Sequence, residues 1–404
     1  MGNNISIGKL FGINIKLNWS WFFILVLLTW NLFNAFGAMH PDWGQTSRLV
    51  ISLLAALLFF LSVLVHELAH SLMARARGIS VQGITLFLFG GVSNIQRQPD
   101  TPLSEFLITI VGPISSLILG FLFLGLSGVN ILREGIQMSN ADEIMSSMTP
   151  FTTVLMWLGS TNIILGVFNM IPGFPLDGGR VLRSLLWVIT DNLKKATRWS
   201  SWVGQGIGWV MMISGISAVF GGQIPFFGSG AVNGLWLAFI GWFLNSAAVQ
   251  SYREVVVQDV LEGVTVGDIM RVSPPTVSGD LLVSDLVHQH IMQKDDHAFP
   301  VMEGEALVGL VTLTDVRGVS RSDWERTTVK EIMIPQSELV TVGVKDEAAE
   351  AFSKISQLGV RQLPVVEKGS LKGVLRRSEL MKWLQLHSDA GPRLMIGPSI
   401  SRKK

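Results

Sequence analysis

Apolar positions in the first 253 residues fall into long, nearly unbroken runs, whereas those after residue 254 are short and periodic. Six runs, about 19–36, 49–74, 103–128, 152–176, 200–220 and 231–250, approach the roughly 20 apolar residues that a membrane helix needs. Pro172 and Pro175 interrupt the fourth, so its end is expected to unwind. The fifth carries Gly204, Gly206, Gly208 and Gly215, which suits close helix packing in lipid. Residues 79–95, ISVQGITLFLFGGVSNI, depart from the pattern. A β-branched and aromatic run closed by two glycines reads as strand or hairpin. Lipid does not tolerate an open strand edge, so this segment must be buried in protein or lie at the interface. Met1 to Asn18 shows no small-residue cleavage site, and the first run reads as a retained span.

The second part contains an internal repeat. Val266-Gly-Asp-Ile-Met270 matches Val329-Lys-Glu-Ile-Met333 at an offset of 63, and Phe299-Pro300-Val301 matches Leu363-Pro364-Val365 at 64. Each unit reads as strand, amphipathic helix, strand, turn, strand, helix. The first helix, about 281–293, has apolar residues at 282, 283, 286, 287 and 291, a helical spacing. The expected organisation is a membrane domain over 1–253, a linker over 254–263, units over 264–320 and 327–384, and a disordered tail over 385–404. Two units this short are expected to bury their sheet faces against each other.

Charge supports the division. Residues 1–253 hold 22 of the 61 charged side chains, and eleven of the thirteen Trp fall there, as membrane-interface anchoring favours. Counting Lys and Arg between runs puts eleven on the side of the N-terminus and only Arg48 and Arg133 on the other. That bias predicts cytoplasmic N- and C-termini, hence a cytoplasmic repeat, with the plasma membrane as location in a prokaryote. A net charge of +1 offers no basic surface for nucleic acid. With no Cys there is no disulfide, no thiolate nucleophile and no Cys-bound metal.

The second run contains His66-Glu67-Leu68-Ala69-His70. On a helix the two histidines project from one face, one turn apart, with spacing suited to a single Zn²⁺. Glu67 sits beside them, where it can take a proton from a metal-bound water. Ionisable groups within a span are costly and functional by default, and three occur here within five residues. A catalytic zinc wants three protein ligands and one open position. Without Cys the third is His, Asp or Glu, and the other histidines lie outside the membrane in this topology. Asp177, in Asn169-Met-Ile-Pro172-Gly-Phe-Pro175-Leu-Asp177-Gly-Gly179-Arg180, is the candidate. Its local alternative is an N-cap for a helix from about 180.

The apolar HELAH, the Asn-x-x-Pro-x-x-Pro-Leu-Asp-Gly-Gly run and the six spans resemble the site-2 protease family of intramembrane zinc metalloproteases. The resemblance covers residues 1–250. It implies one zinc per chain held by His66, His70 and Asp177, with Glu67 as catalytic base and Asn169 near the scissile carbonyl or its oxyanion. Gly112-Pro113-Ile-Ser-Ser116 matches a family element in which many relatives carry Asn in place of Ser116, and Ser116 reads as a packing residue. A transmembrane substrate must unwind to be cut, and an edge strand can hold it extended. Val81, Gly83, Thr85, Phe87, Phe89, Gly90 and Gly91 are the candidates for that edge, a plain structural hairpin being the alternative. Gly90-Gly91 and the Pro172–Pro175 break are candidates to line a water path.

The repeat resembles a tandem pair of CBS domains, which implies ATP or another adenine nucleotide as regulator and favours a homodimer. Gly309-Leu-Val-Thr312-Leu-Thr-Asp315 matches a ribose-binding pattern, with Thr312 and Asp315 as contacts. In the second unit Arg376 replaces the hydroxyl residue, which argues against a second ribose site. The expected fold is thus multi-domain: a polytopic α-helical membrane domain of six spans with a short β segment, plus a cytoplasmic α/β CBS pair. The expected partners are a transmembrane protein substrate and the lipid bilayer. The alternative is a metal-ion transporter or channel gated by the pair; Glu67 beside the histidines and the Leu-Asp-Gly-Gly run favour the protease.

Overall fold

The structure, a computed structural model, describes residues 4–88, 90–95, 98–133, 146–223, 230–292 and 296–387. Its contacts divide the chain into two compact units, Gly2–Tyr252 and Arg253–Lys404.

The first unit opens with two strands that the hydrophobic runs do not announce, β1 (Asn4–Leu10) and β2 (Ile13–Asn18). Then come α1 (Trp19–Met39), α2 (Gln45–Ala76), β3 (Val81–Phe87), β4 (Gly90–Ile95) and α3 (Pro102–Arg133). After these follow α4 (Pro150–Asn169), α5 (Asp177–Thr190), α6 (Leu193–Val219) and α7 (Ala231–Leu261). Six of the helices, all but α5, are long and apolar enough to cross a membrane. The segment 254–263, expected as a linker, continues α7 as helix through Leu261.

Helix α2 governs the layout. Its 32 residues extend about 48 Å, more than a bilayer core requires. Gly78, at φ +77, stops it, and Ile79 N–H closes back onto Ala74 O at 3.0 Å. The chain then returns along α2 as β3 and β4. The sheet order is β1-β2-β3-β4, with β2 parallel to β3 and the other pairs antiparallel. Ile13, Leu17, Ile84 and Leu86 bury one face of this sheet against Trp21, Phe60, Val63 and Leu68.

Glycines set the close crossings. A Cβ on Gly208 would lie 2.7 Å from Gly241 O, and one on Gly215 2.5 Å from Gly234 O, so α6 and α7 touch backbone to backbone there. Gly206, in the same run, faces open space. One buried ion pair ties α3 to α5: Arg183 Nε donates to Glu105 Oε1 at 2.7 Å, and its Nη2 meets the same oxygen. Glu105 is fully buried.

The second unit carries the repeat as two hairpins in one sheet. They are β5 (Ala298–Glu303) with β6 (Ala306–Thr312), and β7 (Gln362–Glu367) with β8 (Ser370–Arg376). Both have a register shift at the equivalent place, Val301/Met302 and Val365/Val366. Each repeat lends its leading short strand to the other: Arg271–Val272 pairs β8, and Ile334–Pro335 pairs β6. The cores are exchanged likewise. Val266 and Ile269 pack with Val342, Ile355, Leu375 and Leu380, while Val329 packs with Val277, Leu286, Phe299 and Val311. Residues 385–387, assigned to the tail, end a helix over Arg377–His387; 388–404 lie outside the described residues.

Candidate metal centre

His66 and His70 lie one turn apart on the buried face of α2, both nearly inaccessible. Opposite them α3 presents a single i, i+4 row: Ile108, Gly112, Ser116. His70 Nδ1 lies 2.7 Å from Ile108 O, and a carbonyl only accepts, so Nδ1 carries the proton. Nε2 of a neutral His70 is therefore a bare lone pair. His66 Nδ1 meets Ser116 Oγ at 2.9 Å. Ser116, read from the sequence as packing, thus orients an imidazole. Gly112 makes the space between: a Cβ there would stand 2.1 Å from His70 Nε2 and 2.8 Å from His66 Nε2.

Asp177 completes the group. Its Oδ2 lies 3.1 Å from each histidine Nε2, and those two nitrogens are 3.2 Å apart. It does not cap a helix: α5 begins at Asp177 itself, with Leu176 as N-cap. The carboxylate is free to turn inward because the chain folds tightly behind it. A Cβ on Gly178 would meet Met170 O at 2.3 Å, and one on Gly179 would meet Gly173 C at 2.3 Å. Both glycines of Leu-Asp-Gly-Gly are thus required by backbone packed on backbone. Three acceptor atoms this close repel unless a cation or proton lies among them, and two imidazoles with a carboxylate are a donor set that zinc takes. Among the described residues, His66, His70 and Asp177 form the one such group able to hold a metal.

Glu67 stands beside the trio, on the side facing β4. Ser93 Oγ donates to Glu67 Oε2 at 2.9 Å and meets Ser71 Oγ at 3.0 Å. Gly91 leaves room for the carboxylate; a Cβ there would lie 2.3 Å from Glu67 Cγ. Ser93 went unnoticed in the sequence; the available signal was its period-2 relation to Gly91 on a strand. The β1–β2 hairpin was also missed, although Ile13-Asn-Ile-Lys-Leu alternates with period 2. Asn169, at the end of α4, donates from Nδ2 to Leu165 O of its own helix at 3.0 Å.

The substrate-edge assignment needs correction. Val81, Gly83, Thr85 and Phe87 belong to β3, which is paired on both sides, by β2 and by β4, and cannot receive another strand. Gly83 is glycine because Asn14 O would lie 2.7 Å from its Cβ. Of the β3–β4 hairpin the edge strand is β4, so of the candidates only Gly90 and Gly91 stand on an edge. Phe89 lies outside the described residues.

In the second unit a cleft of about 680 Å³ is lined by both repeats, with Thr312, Arg317, Arg361 and Gln362 among its walls. Thr312 Oγ1 donates to Asp315 Oδ2 at 2.7 Å, and Thr312 N–H donates to the same oxygen, a capping box at the start of the helix over Leu313–Arg317. Arg376 is tied to Asp296 at 2.6 Å, as is Arg271 at 3.1 Å. The two repeats are therefore not equivalent at the positions of Thr312 and Arg376.

The profile of peptidase family M50 matches residues 54–213, and that of the CBS domain matches 266–322 and 329–386. A protein of Synechocystis named a zinc metalloprotease is 35% identical over 95% of this chain and 96% of its own length. The chain belongs to peptidase family M50. A Mycobacterium tuberculosis protein, also named a zinc metalloprotease, is 30% identical over 97% of this M50 chain and 95% of its own. The solved site-2 protease from Methanocaldococcus jannaschii aligns at 25% identity over 62% of this chain and 95% of that one, with a TM-score of 0.39. His66, His70 and Asp177 all fall within the matched segment.

Proposed function

We propose that this M50 protein is an intramembrane zinc endopeptidase, in which His66, His70 and Asp177 hold one zinc and Glu67 is the general base. The observation that carries the reading is the convergence of three potential ligand atoms, His66 Nε2, His70 Nε2 and Asp177 Oδ2, within 3.2 Å of one another beside a carboxylate held by Ser93. When bound, zinc lowers the pKa of water to about 7 and polarises a peptide carbonyl. Glu67 accepts the proton of the attacking water and delivers it to the leaving nitrogen. Ser93, itself hydrogen-bonded to Ser71, holds the Glu67 carboxylate between α2 and β4. The open backbone edge of β4 pairs with an unwound stretch of a transmembrane substrate and presents it extended beside Glu67. The site lies about 15 Å from the C-terminal end of α2, so cleavage falls within or near the substrate's membrane segment.

The Lys/Arg bias supports cytoplasmic termini for a multi-pass chain. The cleft between the repeats then faces the cytoplasm and takes an adenine nucleotide that modulates cleavage, with Thr312 as a contact. The test compares wild type and Glu67→Gln, purified in detergent, for zinc content and cleavage of a panel of transmembrane substrates. One zinc per chain in both, with cleavage lost only in the variant, is expected. Absence of zinc from chelator-free wild type refutes the site. ATP titrated into the cleavage assay tests the regulatory part, and unchanged rates with saturating nucleotide refute it.

A further inference from the structure

The β1–β2 hairpin has a form that the catalytic reading does not use. β1 is exposed along its whole length and paired only to β2, so its outer backbone edge is open. Its register places Ile5 opposite Leu17 and Leu10 opposite Ile13, on the face where β2 buries Ile13, Ile15 and Leu17. Helix α2 covers that face under β2 but not under β1: Ile5 is 40% and Leu10 39% exposed. Ile7, at the register shift, is 59% exposed, and Phe11 at the turn 66%. The opposite face pairs Ser6 with Lys16 and Lys9 with Asn14, and both lysines are exposed. The hairpin is amphipathic, with an apolar side overhanging the core.

Two further observations say where this side lies. Phe11 and Gly12 have φ +50 and +76, the two-residue turn that right-twisted hairpins favour. Asn or Gly is the ordinary residue at the first of these positions, and a bulky aromatic there is strained. The strained Phe is also the most exposed of the hairpin's large apolar side chains. The turn is pinned, too: Arg75, in the last turn of α2, donates from Nη1 to Phe11 O. The tip therefore sits level with the end of a helix long and apolar enough to span a bilayer.

We propose that the hairpin is an interfacial anchor for the sheet. Phe11, Ile7 and Leu10 enter the headgroup–acyl boundary of the leaflet in which α2 ends, and Lys9 and Lys16 meet anionic phosphate headgroups above it. Unpaired backbone is excluded from hydrocarbon, so the turn of the hairpin keeps its backbone at this boundary. Side chains that dip while the backbone stays wet satisfy both demands. The anchor sets the depth of β2 and β3, and through them of β4 beside Glu67. It rests on the reading of α2 as a membrane span.

The native chain has no cysteine, so single labels are clean. Nitroxide is attached in the full chain to Phe11→Cys, Ile7→Cys, Leu61→Cys in the middle of α2, and Glu305→Cys in an exposed turn of the second unit. The proteins are placed singly in nanodiscs of mixed neutral and anionic phospholipid, and accessibility to oxygen is compared with that to a water-soluble nickel chelate. The expected oxygen-to-nickel ratio at 11 and 7 is several-fold above that at 305 and below that at 61. A ratio at 11 and 7 equal to that at 305, with 61 high, overturns the anchor and leaves the span intact. A low ratio at 61 as well refutes the span, and the anchor with it. Ile7→Cys leaves the turn unchanged and keeps the test open if Phe11→Cys misfolds. Spin–spin broadening at position 7 in nanodiscs holding two chains, with no lipid signature, would assign β1 to a second copy and overturn the proposal.

Discussion

Gly112→Ala is the sharpest perturbation of the metal centre, because two opposing effects can be sized beforehand. On helix propensity alone, replacing an interior glycine by alanine stabilises by about 1 kcal/mol. Against this, the added Cβ would stand 2.1 Å from His70 Nε2, 2.4 Å from its Cε1 and 2.8 Å from His66 Nε2. Comfortable approach of such atoms is about 3.5 Å, so the overlap with His70 is more than an ångström. His70 is poorly able to retreat, since Nδ1 is bonded to Ile108 O on the same helix that carries the new methyl. Overpacking of this kind costs about 1–3 kcal/mol, so global stability changes little or falls by about 2. Metal affinity carries the signal. Two imidazoles must shift at once, and disturbing the support of a single ligand already costs about 10–100-fold. Zinc affinity of Gly112→Ala, measured by chelator competition with the metal counted per chain, is expected to drop by about 100-fold or more, with cleavage lost in parallel. Zinc affinity and turnover equal to wild type would refute the arrangement of α3 against the histidines.

Other consequences separate the parts of the site. Gly91→Ala pushes Glu67 aside without touching the histidines, so zinc is retained while cleavage falls; parallel loss of zinc would contradict the separation of base and ligands. Ser116→Ala removes the partner of His66 Nδ1 and should lower zinc affinity by about 10–100-fold, read by the same competition; no change would return Ser116 to a packing role. Arg183→Met leaves the buried Glu105 carboxylate with Arg180, 3.7 Å away, as a cationic neighbour. Breaking such a pair costs about 3–5 kcal/mol, and an unshifted unfolding midpoint in detergent would count against it. In the second unit, hydrogen bonds from the Thr265 and Thr328 side chains hold the Asp268 and Glu331 carboxyls below their ordinary values. A lowered folded pKa means stabilisation present above about pH 4 and lost as pH falls through the depressed values. Protection of amides 266–269 and 329–332, relative to intrinsic exchange, should therefore drop under acid conditions, and Thr265→Ala with Thr328→Ala should weaken that pH dependence, the backbone N–H bonds to the same carboxylates remaining.

Much of the site was legible because its signals are local. A pair of histidines four apart in an apolar run must share a helix face, and an acid between them has few structural reasons to be there. The end of the fourth run was readable from Pro172, whose backbone preferences act within a turn. Ser116, Ser93 and Arg183 were not legible as functional or buried groups. Their roles depend on neighbours 50, 26 and 78 residues away, and nothing in their own surroundings distinguishes them from ordinary polar positions. The substrate edge failed for a similar reason. A strand's own sequence does not say how many partners it has, and the N-terminal β2 took the side of β3 that had been expected to be open.

By itself, then, the sequence determined the apolar runs able to form six long helices, the repeat, the i, i+4 histidines with Glu67, and the Asp of Leu-Asp-Gly-Gly. Each follows from periodicity, length or backbone preference within a few residues. Only the tertiary structure decided that β4 rather than β3 is the free edge, that Gly112 and Gly91 leave the space for the site, and that the two repeats exchange their leading strands and core residues. Those outcomes turn on which backbones approach within van der Waals distance across long stretches of chain, a property of packing that local sequence does not encode.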